Sequence, residues 1–169
     1  MKAELFSSDF MISFFIFLSV LIIITFYYQN LQTDVYETDI RNDMNTRAID
    51  IGSLLATTNG QPQYWNSTNV EVIGLYDDGK FNLTKFEELK KMNKQTVKTM
   101  LGVGAYNFNI TLTENNTEKI LQKPSDPTYF YTYGTSPDDA EQLVLVKRLG
   151  VVNLEDSVTK VTMEVILWL

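Results

Sequence analysis

The hydrophobic pattern of the chain is set by its first long run. From Phe10 to Tyr28 there is no charge, and Ser13, Ser19 and Thr25 are the only small polar residues. As an α-helix this run rises about 28 Å at ~1.5 Å per residue, close to the hydrocarbon thickness of a bilayer. At about 100° per residue the three hydroxyls point in different directions, so they form no polar seam. Such a helix is apolar all round, which suits lipid or a bundle of like helices.

Beyond the run the pattern becomes amphipathic. Tyr36, Ile40, Met44, Ile51 and Leu55 recur at near-helical spacing, and Asp34, Glu37, Asp39, Asp43 and Asp50 fill the gaps with Arg41 and Arg47. These charges form a solvated face, and the apolar stripe requires a partner surface. No Gly precedes Gly52 and no Pro precedes Pro62. The spacing therefore predicts one continuous helix from about Ser8 to about Leu55, ended by the Thr57–Pro62 segment. Ser7 or Ser8 can cap its start, and Asp9 in the first turn suits the helix dipole. Tyr27 and Tyr28 fit an interfacial aromatic belt.

From Tyr64 onward the pattern is that of short elements. Glu71 to Leu75 reads as a strand, followed by a turn at Asp77-Asp78-Gly79. Thr84 to Glu87 fits a capping box for a helix carrying Phe86, Leu89 and Met92. A second short helix carries Val97, Met100 and Leu101 and stops at Gly102. Tyr106 to Thr113 alternates as a half-buried strand, with Lys119 to Gln122 as its hairpin partner. Residues 124–127 read as loop, and Tyr129, Tyr131 and Tyr133 as one aromatic strand face. Residues 134–141 read as a further loop. Leu143–Val152 and Val158–Leu169 form a final pair, in which Val161, Met163, Val165, Leu167 and Leu169 share a face.

The expected class is α+β: a long N-terminal helix, membrane-spanning in its first half and amphipathic in its second, packed on a C-terminal antiparallel β-rich head. The head should hold at least four strands, including 105–113, 142–152 and 158–169, packed on the stripe from Tyr36 to Ile51. The divisions are a leader or tail (1–9), a transmembrane or filament-core helix (10–30), its amphipathic continuation (31–58) and an extracellular head (59–169).

Composition narrows the chemistry. A net charge of −7 argues against nucleic acid as a partner. The chain has no Cys and no His, which excludes thiolate and imidazole metal sites, Ser-His triads and cysteine nucleophiles. Asp77-Asp78 and Asp138-Asp139 read as solvated turn formers, without the ligand spacing of a calcium loop. Gly102-Val103-Gly104 lacks the rest of a phosphate-binding motif. The expectation is no enzyme, with no catalytic, cofactor or metal residues. Lys2 stands before the apolar run and Arg41 and Arg47 after it, so charge does not fix membrane orientation. N-glycosylation sequons begin at Asn66, Asn82, Asn109 and Asn115, all usable if the head lies outside the cell.

The layout of a basic leader, an apolar-to-amphipathic helix and a β-rich head resembles a type IV pilin, archaeal pilin-like surface proteins in particular. Lys2-Ala3 before Glu4-Leu5 resembles the site cut by archaeal prepilin peptidases (class III signal peptides). The stretch LKKMNKQTVKTMLGVGAYNFNITL, residues 89–112, is similar to one seen after the stalk in archaeal surface proteins with this leader type. In two respects the chain departs from the pattern: no Pro or Gly interrupts the apolar run, and Ala3 replaces the usual Gly. The resemblance implies a pilin-like lollipop, cleavage at Ala3 or Glu4, and a register role for Asp9, which becomes sixth or fifth in the mature chain. It implies a non-catalytic subunit of an adhesive or motility filament. Its partners would be its own copies or other pilin-like subunits, the membrane, and assembly machinery driven by a separate ATPase. The protein would lie in the membrane before assembly and at the cell surface afterwards. The alternative is a single-span anchored surface protein or sensor-like ectodomain that does not polymerise. A sensor would need a cytoplasmic output module, which residues 1–9 cannot supply.

Overall fold

The computed structural model describes residues 8–169 other than 116, 118, 155 and 156. The chain forms two compact units, residues 1–40 and residues 41–169. One helix, α1 (Ser8–Thr57), is continuous as its lack of breakers predicts. Within the first unit two hydroxyls of the apolar run are satisfied by the helix itself: Ser19 donates to Phe15 O and Thr25 to Leu21 O, each at 2.8 Å. Those two side chains ask nothing polar of their surroundings.

In the second unit α1 buries Met44, Ala48, Ile51 and Leu55. Of the expected stripe, Met44 and Ile51 are buried within this unit, and Tyr36 and Ile40 belong to the first unit. Periodicity undervalues Ala48 and Gly52. A Cβ at Gly52 would lie 3.3 Å from Val146 Cγ1, so the small residue sets a close approach of helix and sheet.

The segment after α1 closes the helix end instead of forming the expected strand at 71–75. Leu75 N donates to Leu55 O at 3.1 Å and Tyr76 N to Thr58 O at 3.1 Å, satisfying carbonyls that a helix C-terminus leaves unpaired. In place of a ladder there is one antiparallel bridge, Gln61 to Val72. A Cβ at Gly74 would overlap Thr58 O and Gly60 N.

Strands β1 (Tyr76–Asp77) and β2 (Lys80–Phe81) then form a tight hairpin. Its turn places Asp78 at φ 46° and Gly79 at φ 81°, the left-handed pair that Asp-Gly supplies in a two-residue loop. Helix α2 (Leu83–Lys91) begins before the expected capping box. Asn82 is its N-cap and accepts from Lys85 N at 3.2 Å; Thr84 lies inside the first turn. Asn93 caps α3 (Lys94–Met100) in the same way through Gln95 N.

The remaining strands are β3 (Asn107–Glu114), β4 (Gln122–Lys123), β5 (Asp126–Phe130), β6 (Thr132–Gly134), β7 (Leu143–Leu154) and β8 (Ser157–Trp168). The main sheet runs β1-β2-β7-β8-β3-β6, and β4-β5 is a separate pair. The sheet is mixed, not purely antiparallel: β2 runs parallel to β7 through Phe81 and Val152. Its centre is antiparallel, with Val165 opposite both Ile110 and Val146. Val161, Met163, Val165 and Leu167 are buried as expected, whereas Leu169 lies past the strand and is 44% exposed. Pro127 belongs to β5, not to a loop. The tyrosine run is divided between two sheets at Tyr131, whose backbone N donates to Leu121 O while its carbonyl accepts from Leu112 N.

Candidate functional site

The strongest candidate for an interacting element is the first half of α1. Asp9–Gln29 is a 21-residue stretch whose most apolar 18 residues have a mean hydropathy of 2.6, and none of that window is buried. Apart from half-buried Leu18, its large apolar side chains from Phe10 to Tyr28 are 44 to 67% exposed. Exposure on every side distinguishes it from a core helix, which would show one covered face. Length and composition suffice to cross a membrane.

Asp9 lies in the first turn of α1 and is exposed. The candidate cleavage residues Ala3 and Glu4, and the candidate cap Ser7, lie outside the described residues. The helix itself begins at Ser8.

The sequon asparagines occupy different environments. Asn66 is exposed in the loop before β1, and its Oδ1 accepts from Thr68 N at 2.9 Å and Thr68 Oγ1 at 2.7 Å. Ser67 ties that loop to α2, donating through its backbone N and Oγ to Glu88 Oε2, each at 3.0 Å. Bonds from Lys91 and then Ser67 draw the Glu88 carboxyl down to about 2. Asn82 is half-buried; beyond its capping role, Nδ2 donates to Asp77 Oδ2 at 3.2 Å. Asn109 is half-buried in β3, where Nδ2 donates to Thr135 O at 2.9 Å and Oδ1 accepts from Thr111 Oγ1 at 2.6 Å. Asn115 is exposed just after β3, and its Oδ1 accepts from Thr162 Oγ1 at 3.4 Å.

Two polar clusters were not singled out by the sequence pattern. Lys85 is buried, with Nζ donating to Asn59 O at 2.8 Å and lying 3.9 Å from Asp77 Oδ2. Burial lowers its pKa, and Asp77 opposes that shift. The other joins α2 to β4 and to Tyr131, between β5 and β6: Glu87 accepts from Tyr131 Oη at 3.1 Å and pairs with Lys123 at 2.8 Å. Lys90 Nζ lies 4.0 Å over the Tyr129 ring. Burial first, then Glu87, pushes the Tyr129 hydroxyl up to about 12. Both clusters bind elements together. Their signal in the sequence is no more than a Lys or Glu near a helix start, which is the commonest surface pattern.

Comparison of the chain with protein-family models, curated proteins and solved structures gives no match.

Proposed function

We propose that this protein is a structural subunit of an extracellular type IV pilus-like filament, with a role in surface adhesion or motility. One observation carries the reading: a single unbroken helix, Ser8–Thr57, whose apolar first half is exposed on all sides and whose second half is built into a β-rich unit. The apolar half would sit in the membrane first and among its own copies, or those of related subunits, afterwards. Either environment removes the same surface from water, at about 25 cal/mol per Å² of apolar area.

That attraction has no direction, so a polar group must fix the stagger between neighbouring helices. Asp9 borders the apolar run at its start. After cleavage at Ala3 or Glu4, the new amino terminus of a neighbouring subunit would pair with the Asp9 carboxylate. An unpaired carboxylate at the edge of an apolar core is costly, which favours the register that pairs it. The subunit performs no catalysis in this reading, and assembly machinery supplies the energy. The β-rich unit stays at the cell surface.

Shearing surface material from cells, pelleting it and measuring the intact mass of the subunit tests the reading. A pelleted chain starting at Glu4 or Leu5 is expected. A chain that stays with the membrane, begins at Met1 and never pellets would make this a single-span anchored protein instead.

A further inference from the structure

The sequons differ in what their side-chain amides are already doing, and that difference decides which of them a glycosyl transferase can use on the folded chain. In N-glycosylation the amide nitrogen attacks the anomeric carbon of a polyprenyl-phosphate- or pyrophosphate-linked saccharide. The N–C bond forms and the anomeric C–O bond breaks. Its electron pair leaves with the lipid phosphate, and the amide proton passes to a base of the transferase. The nitrogen must therefore be reachable and free to turn out of its present bonds, and the residue two positions on must be readable with it.

We propose that Asn66 is an N-glycan acceptor of this protein, while Asn82 and Asn109 stay unmodified once the chain has folded. The proposal rests on the surface reading above, since the lipid-linked donor and its transferase act on the outer side. At Asn66 the amide nitrogen makes no hydrogen bond among the described residues, and Thr68 Oγ1 is held 2.7 Å from Asn66 Oδ1. Acceptor and sequon hydroxyl thus stand together at the surface of a loop, which Ser67 anchors from beneath through Glu88.

At Asn82 the same chemistry would break the bond to Asp77 and remove the N-cap of α2. At Asn109 the obstacle is larger. The residue lies in β3 with Ile166 on one side and Gly134 on the other, and its amide is bonded to Thr135 O. The rest of that sequon is buried, Ile110 at 0% and Thr111 at 7% exposure. Reading it would require pulling a strand from the middle of the sheet.

The test uses the full chain expressed in a host with its own lipid-linked saccharide pathway, with peptide mass spectrometry over all sequons. Wild type, Asn66→Gln and Thr68→Ala are compared, the last keeping the asparagine. A Ser125→Cys chain, which carries a single thiol in an exposed turn, is labelled on whole cells with a membrane-impermeant maleimide. The expected result is saccharide on the Asn66 peptide, lost in both variants, with the Asn82 and Asn109 peptides bare. A bare Asn66 in cells that label from outside, or saccharide on Asn82 or Asn109, would overturn the assignment and leave the surface reading standing. Labelling only after lysis would overturn both.

Discussion

The hydroxyl of Tyr106 donates to Asp43 Oδ2 at 2.7 Å, joining α1 to the entry of β3 across 63 positions of sequence. The same oxygen accepts from Arg47 Nε at 2.8 Å, and Arg47 Nη1 donates to Gly102 O at 2.7 Å. Asp43, Arg47 and Tyr106 thus fasten the helix to the turn that leads into the sheet. The bonds from Arg47 and then Tyr106 hold the Asp43 carboxyl below its usual range.

A carboxyl with a depressed folded pKa stabilises the fold above its unfolded pKa, and that contribution is lost as pH falls through the folded value. The stability gap between wild type and Asp43→Asn should therefore be full above about pH 4 and close as the solution is acidified further. Because the cluster is partly exposed, Tyr106→Phe should cost about 1 kcal/mol or less. Urea melts followed by fluorescence check this, since the chain's Trp65 and Trp168 are both buried.

Lys85 offers a stronger test, because its ammonium is buried on Asn59 O at the end of α1. Lys85→Ala removes a charged donor from a part-buried acceptor and should cost roughly 1.5–3 kcal/mol. Its pKa is lowered in the fold. Between that lowered value and the ordinary lysine value of 10.5 the unfolded chain binds more protons, so this group makes stability rise with pH across that window. Chemical melts of wild type and Lys85→Ala at several alkaline pH values would show their difference changing in that direction.

Val165 lies at the centre of the sheet, fully buried between Ile110 and Val146. Val165→Asp places an unpaired charge there and should destabilise by several kcal/mol. An unchanged melt would be incompatible with this position in the core.

Much of this fold was legible in the sequence wherever one strong local signal met no competitor. The absence of Pro before Pro62 and of Gly before Gly52 gave the continuity of α1, which runs through Gly52 to Thr57, and strict alternation gave the inward row Val161 to Leu167 in β8. The misreadings share a cause: a tertiary partner outbid the local pattern. Residues 71–75 have strand-like composition, but the open carbonyls of α1 take the amides of Leu75 and Tyr76. Thr84 fits a capping box, yet the chain leaving β2 already turns into helix at Asn82. The candidate sites were legible only as types. A sequon marks each asparagine equally, and only the folded chain distinguishes the engaged amides of Asn82 and Asn109 from that of Asn66.

Asp9→Asn probes the register proposal. It preserves side-chain hydrogen bonding at the start of α1 and removes the charge. The variant should reach the membrane at wild-type levels and yield few filaments. Wild-type filament yield would reduce Asp9 to an acid serving its own helix dipole, worth under about 1 kcal/mol.

Cryo-electron microscopy of sheared surface filaments tests the central proposal most directly. The expected reconstruction has Phe10–Tyr28 of many copies packed against one another in the core and the β-rich units outside. Surface preparations containing the intact protein only as dispersed single-span molecules in membrane fragments, with no filament built from it, would contradict the proposed function.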